Sequence, residues 1–258
     1  IDVDAIPQCN AGQQTLPSFG DSEEEAEEEE KKEDDKNSEE ARKNEIEIIE
    51  NIIRDALEGK SITEEQAANL EKFRIQLIQL LREYGEGAFS EAIEAYNLNY
   101  YKLLKKETMT ALNELVDSIK KIDNYAEYVS FKHDVASNGK ITTASIQEAI
   151  AGIACIKQEI LGELIRAKNK EEDFEELTTG KLWDVKTARS FSLEGLKIFK
   201  PDSFCDALSK AYESNQDENL IVQITNLSDS DLQKLYDVMF KRFSIDEIKR
   251  TIVVDANN

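Results

Sequence analysis

The chain has 258 residues, 54 acids against 32 bases, a single histidine and a formal net charge of −22. Such a balance opposes binding to nucleic-acid phosphates, which requires Lys and Arg to release counterions. It equally opposes docking on an anionic membrane, and it favours basic protein partners.

The chain opens on Ile1 with no signal-peptide pattern behind it, which reads as a processed product or an excised part of something longer. Residues 1–40 are expected to form a disordered acidic leader. Asp21 to Glu40 alone holds thirteen acids and three lysines, and such a segment cannot bury enough apolar surface to offset its ordering entropy. The remaining body still carries 39 acids against 29 bases. No apolar run reaches the ~18 residues of a membrane span. Cys9, Cys155 and Cys205 are odd in number and widely spaced, so neither a disulfide framework nor a CxxC metal knuckle is expected. A reducing, intracellular setting (cytoplasmic, or within a virion) is the simplest reading.

Between Pro17 and Pro201 lie 183 residues without proline, which permits long helices. A first helix is predicted over 39–58, where Ile46, Ile49, Ile53 and Leu57 form one apolar stripe. Thr63-Glu64-Glu65-Gln66 matches a capping box and opens a second helix carrying Leu70, Phe73, Leu77, Leu80 and Leu81. The short connection around Gly59 predicts a helical hairpin. A third helical segment runs from Phe89 to Tyr128 with a break near Lys105–Thr108, and a fourth covers 144–168, capped by Ser145-Ile146-Gln147-Glu148. Within it, Ala149 to Ile156 has no polar side chain, so it should be central and buried. The small ridge Ala149, Gly152, Cys155 invites close approach by another helix.

After Lys168 the texture changes. Leu196–Phe199 and Leu220–Ile224 could be short strands. Pro201 suits the first turn of a helix to about Tyr212, and Ser228 and Ser244 look like N-caps of helices over 230–242 and 245–253.

No segment fixes a chemistry. Gly59-Lys60-Ser61 ends like a phosphate loop, but Arg54 stands where the first glycine belongs, so a helix C-cap is expected. His133 stands alone, which excludes any zinc site needing two histidines and leaves it as an ordinary loop residue. The segment Phe131 to Ile150 resembles a degenerate EF-hand, with Asp134 at loop position one, Asn138 at five, Gly139 at six and Ile141 at eight. Ala136 and Ser145 replace two principal oxygen ligands, so 134–145 is expected to be an Asn-Gly turn between helices. Cys155 reads as an inert core thiol. Cys205 lies near a helix start, where Asp202 and Asp206 oppose activation. Tyr96, Tyr100, Tyr101 and Phe89 form an aromatic patch expected to be a helix seam, and Trp183 a buried anchor. Acid pairs such as Glu64/Glu65 and Glu171/Glu172/Asp173 read as solvated faces.

The expected fold is mainly α: a disordered acidic leader (1–40), an antiparallel helical bundle (41–168) and a smaller, mostly helical C-terminal part (177–258). No catalytic, cofactor-binding or metal-ligating residue is assigned, and no cofactor is expected. The leading functional expectation is a non-catalytic interaction, scaffold or assembly protein with a protein partner, which could be basic. It could be a virion component or an adaptor or effector domain. The alternatives are an enzyme with a carboxylate/lysine site between the two parts, and an acidic mimic of nucleic acid that fills a basic protein groove.

Overall fold

A computed structural model describes residues 40–122, 125–168, 171–214 and 219–257. The disorder expected of 1–39 lies outside the described residues. The chain divides into two units, 1–48 and 49–258. In the first, residues 40–48 are described, and they are helical, as part of α1 (40–57). All elements below belong to the second.

Helix α2 (Glu64–Tyr84) begins at the expected capping box. The Thr63 hydroxyl accepts from the Gln66 N–H at 3.2 Å, and Gln66 Oε1 accepts from the Thr63 N–H at 2.8 Å. Its buried face is Phe73, Leu77, Leu80 and Leu81, and Arg74 reaches Glu50 on α1 at 2.5 Å. The long helix expected over Phe89 to Tyr128 is cut into α3 (Glu86–Tyr96), α4 (Tyr100–Leu103), α5 (Thr108–Lys120) and α6 (Tyr125–Phe131). The break near 105–108 is present. A second one arises because Asn97 is left-handed (φ 52°) and closes α3, while the Asn99 carboxamide caps α4.

Helix α7 (Thr143–Lys157) starts one residue earlier than expected, with Thr142 and Ser145 forming the capping box. It also stops eleven residues sooner. Glu159 turns left-handed (φ 56°), and the N–H groups of Ile160 and Leu161 fold back onto the Cys155 carbonyl at 3.0 and 3.3 Å. The small ridge on α7 does admit a close neighbour, but that neighbour is an aromatic ring rather than a helix. A Cβ on Gly152 would lie 2.9 Å from Phe174 Cζ.

Phe174 belongs to a sheet, and the sheet overturns the mainly α expectation. Strands β1 (Leu164–Arg166), β2 (Phe174–Glu176), β3 (Leu182–Arg189), β4 (Asn219–Asn226) and β5 (Thr251–Val254) lie side by side in chain order. The pairs β1/β2 and β2/β3 are antiparallel; β3/β4 and β4/β5 are parallel. The fold is therefore mixed α/β, not a helical bundle with a helical appendage. Parallel neighbours need crossover connections, supplied here by α8 (Pro201–Ser214) and by α9 (Asp229–Arg242) with α10 (Ile245–Lys249). Pro201 opens α8 as expected. Residues 251–253, expected as the end of a helix, lie in β5, and Leu196–Phe199 makes only the single bridge Phe191↔Lys197.

Side chains alternate along β4. Leu220, Val222 and Ile224 join Ala188 and Val253 in a core closed by Cys205, Leu208, Leu235 and Met239 of α8 and α9. Leu208 and Leu235 are fully buried, each contributing roughly 2 kcal/mol of apolar transfer. The other phase of β4, Gln223 and Thr225, looks toward α7 across a cavity.

Candidate functional site at the carboxyl edge of the sheet

Parallel strands deliver their carboxyl ends to one edge, and open α/β sheets bind ligands in the crevice outside that edge. Here a cavity of about 140 Å³ lies between α5, α7, the end of β4 and the segment after β5. Pairing runs Thr187↔Gln223 and then Arg189↔Asn226, so β4 carries one residue more than β3. This bulge brings Asn226 to the wall beside Gln223 and Thr225. Residues 255–257 close another side. Gln158 Nε2 donates to the Asp255 carbonyl at 2.7 Å, and the Ala256 N–H donates to the Thr225 hydroxyl at 2.9 Å.

The charges around this cavity are paired. Lys121 meets Asp117 at 2.6 Å, and this hydrogen bond raises the lysine above its ordinary range. Arg189 is bonded to Glu114, and Lys157 is also engaged. Two glutamines are different. Gln147 is 6 % exposed, and neither amide atom has a hydrogen-bond partner among the described residues. Gln223 is 1 % exposed; its Oε1 accepts from the Thr187 hydroxyl at 3.1 Å, while Nε2 has no partner. Leaving a buried polar atom unpaired costs about 1–3 kcal/mol, so both side chains are held here at some expense of stability. The sequence reading missed both residues. The available signal was a lone amide inside an apolar strand (IVQIT) and another beside the apolar run of α7.

A second polar centre ties α6, α7, β2 and β3 together. Arg166 contacts Glu148 at 2.8 Å and Asp173 at 3.3 Å, donates to the Phe131 carbonyl at 2.7 Å and lies over the Phe174 ring. Asp173 also accepts the Val185 N–H at 2.8 Å. Burial, then the neighbouring Glu148 charge, pushes the Asp173 carboxyl up to about 8. The expectation that Glu171/Glu172/Asp173 is a solvated face is thus corrected for its last two members, since Glu172 is 7 % exposed and Asp173 is pinned under Arg166. A third centre surrounds Asp231, bonded to Lys197, Lys234 and the Ser190 hydroxyl, which hold its carboxyl well below the usual range.

The other sequence-flagged residues are dispersed. Gly59 is left-handed (φ 67°) just beyond α1, and the Lys60 N–H donates to the Leu57 carbonyl, as a C-cap requires. His133 is exposed, with Nδ1 2.9 Å from the Gly139 carbonyl. Asp134 spends its carboxylate on its own turn, accepting from the Ala136 N–H at 2.7 Å and the Ser137 hydroxyl at 2.5 Å, while Asn138 and Gly139 are both left-handed. No group of three or more potential metal ligands occurs among the described residues. Burial pushes Cys155 up to about 12 and Cys205 up to about 11, so both stay protonated thiols. Phe89 and Tyr96 are buried, Tyr96 donating to Glu194 at 3.1 Å, whereas Tyr101 is exposed. Trp183 is buried, and neither it nor the tyrosines line the cavity. No described helix is long and apolar enough to cross a membrane.

No protein-family model, curated protein or solved structure matches this chain.

Proposed function

We propose that this chain is a non-catalytic interaction module that engages a basic protein partner at the carboxyl edge of its parallel strands. One observation carries the reading. The loop between β3 and α8 places Phe191, Leu196 and Ile198 at the surface, 49 %, 64 % and 47 % exposed. Phe191 lines a shallow depression with Glu114, Arg189 and Asn226, which adjoins the cavity. An apolar lip beside a polar crevice is a common anatomy for a protein-binding face. The −22 charge supports the choice of partner, because it would speed encounter with a basic surface. Localisation in a reducing compartment is part of the same proposal; Cys155 and Cys205 are free and buried.

The test compares proximity capture by the full chain, by a Phe191→Asp/Leu196→Asp variant and by Phe240→Asp, a change at a more exposed and separate site. Loss of a reproducible set of basic proteins with the first variant alone is expected. Equal capture by all three chains would refute the assignment of this face.

A further inference from the structure

We propose that the groove between α2 and the corner joining α4 to α5 docks a short acidic segment of a partner protein, one that also carries large apolar side chains. This goes beyond the reading above and does not rest on it. The ligand has the opposite charge, and Thr110 alone is shared between this groove and the depression beside Phe191.

Charge is the first property that selects this occupant. The groove has a volume of about 530 Å³, with Lys72 of α2 on one wall and Lys105 and Lys106, just ahead of α5, on the other. No Asp or Glu lines it, although acids outnumber bases 54 to 32 in the chain. Glu107 follows Lys106 in sequence but stands outside the lining. By contrast, the cavity at the carboxyl edge of the sheet carries Glu114 and Asp117, and the one beside β1 carries Glu127, Glu159 and Glu163. All three lysines of the groove are exposed, and none has an ion pair among the described residues. Glu71, next to Lys72, is bonded to Arg74 instead. The net charge of −22 slows the approach of an acidic partner without forbidding its docking. Charges more than about 8 Å away are largely screened at physiological salt, so a segment in contact feels these lysines first.

The floor is the second property. Between the lysines lie Leu70 and Leu104, both half-buried, above Phe73 and Met109. A free phosphate or a nucleic-acid backbone would use the lysines and leave this floor wet. A segment bearing Leu or Phe covers it and removes apolar area from water. Exposed ion pairs contribute little one by one, so the charges set the choice of ligand and the floor adds affinity.

The experiment is a fluorescence-anisotropy titration of the full chain into a labelled peptide, acetyl-Glu-Asp-Leu-Glu-Glu-Phe-Leu-Glu-Asp-amide. Saturable binding is expected, with dissociation on the order of tens of micromolar for so short a segment. A peptide with every acid changed to its amide, and another with Leu and Phe changed to Ser, should each bind at least tenfold more weakly. Lys72→Glu/Lys105→Glu should weaken the parent peptide as much. Lys210→Glu/Lys241→Glu, an equal change of net charge at other exposed sites, should alter affinity less than twofold. The two control peptides decide the matter even where the first variant fails to fold. No saturable binding, equal affinity for either control peptide, or the same response from both lysine variants would overturn the proposal. So would a single-stranded oligonucleotide that displaces the peptide at equal or lower concentration, which would assign the groove to nucleic acid. Self-association of the free chain that Lys72→Glu/Lys105→Glu abolishes would likewise overturn it, in favour of a second copy. The capture experiment can succeed while this titration fails, and the reverse, so the two readings fall separately.

Discussion

Asp173 and Asp231 are both withdrawn from solvent, and their protons behave in opposite ways. Asp173 shares the single guanidinium of Arg166 with Glu148, and Asp184 lies close by, so burial wins and the proton is retained to about pH 8. Asp231 has two ammonium groups and a hydroxyl to itself, so it stays ionised far into acid. Burial alone does not set the sign of a shift. The number of cations available to each carboxylate does.

The comparison can be broken most forcefully at Arg166. Arg166→Met should cost about 4 kcal/mol in urea unfolding, because it leaves Glu148 and Asp173 buried without their cation. The loss should grow between pH 6 and pH 9 as the retained proton leaves. A pH-independent loss would show that Arg166 acts only through its bonds to the Phe131 carbonyl and, at 3.4 Å, the Ser145 carbonyl. Next in size, Asp231→Asn should cost about 2 kcal/mol at pH 7, less than a fully buried pair because both lysines are half-exposed. Asp231 is depressed in the folded state. Its contribution is present above the unfolded value near 4 and is lost as pH falls further, so wild type and variant should converge in acid. Glu176 and Glu247, also depressed, keep some acid dependence in the variant.

Asp173→Asn should act in the opposite direction. The folded wild type keeps the proton that the unfolded chain releases near pH 4, so stability falls as pH rises from about 4 to about 8 and then levels off. The variant should remove that slope and be more stable than wild type by about 1 kcal/mol at pH 9, measured by thermal unfolding. The smallest effect belongs to Lys234→Ala, at most ~0.5 kcal/mol, because Lys234 is 56 % exposed and Lys197 remains. A larger loss would mean that the two lysines act as one unit.

Local signals in the sequence located three of the helix starts, but the capping box expected at Ser145–Glu148 is formed instead by Thr142 and Ser145, and the Ser228 side chain makes no cap bond. Thr63, Pro201 and Ser244 stand where their chemistry placed them, because a cap is decided within four residues. Of the sheet, only β4 was legible, through the expected strand Leu220–Ile224. Strand β3 (LWDVKTAR) mixes charges into an apolar run, and β1 and β5 are too short to show a period of two. Their identity comes from partners distant in the chain, as when Leu220–Gln223 pairs with Thr251–Val254. The cavity was illegible for a related reason. Gln147 and Gln223 lie 76 positions apart, and only the crossovers of the parallel sheet bring them to one wall. Asp173 was misread because a run of acids looks solvated until the arginine above it is known.

The two outermost strands, β1 and β5, are three and four residues long. A sheet is a standing invitation to the backbone of any other extended chain, and the invitation scales with the length of its exposed ladder. Here an intruding strand would find only a few free N–H and C=O groups before the rail ran out. Concentrated solutions of this protein should accordingly resist fibril seeding, a property to which the short edges contribute beside the net charge of −22.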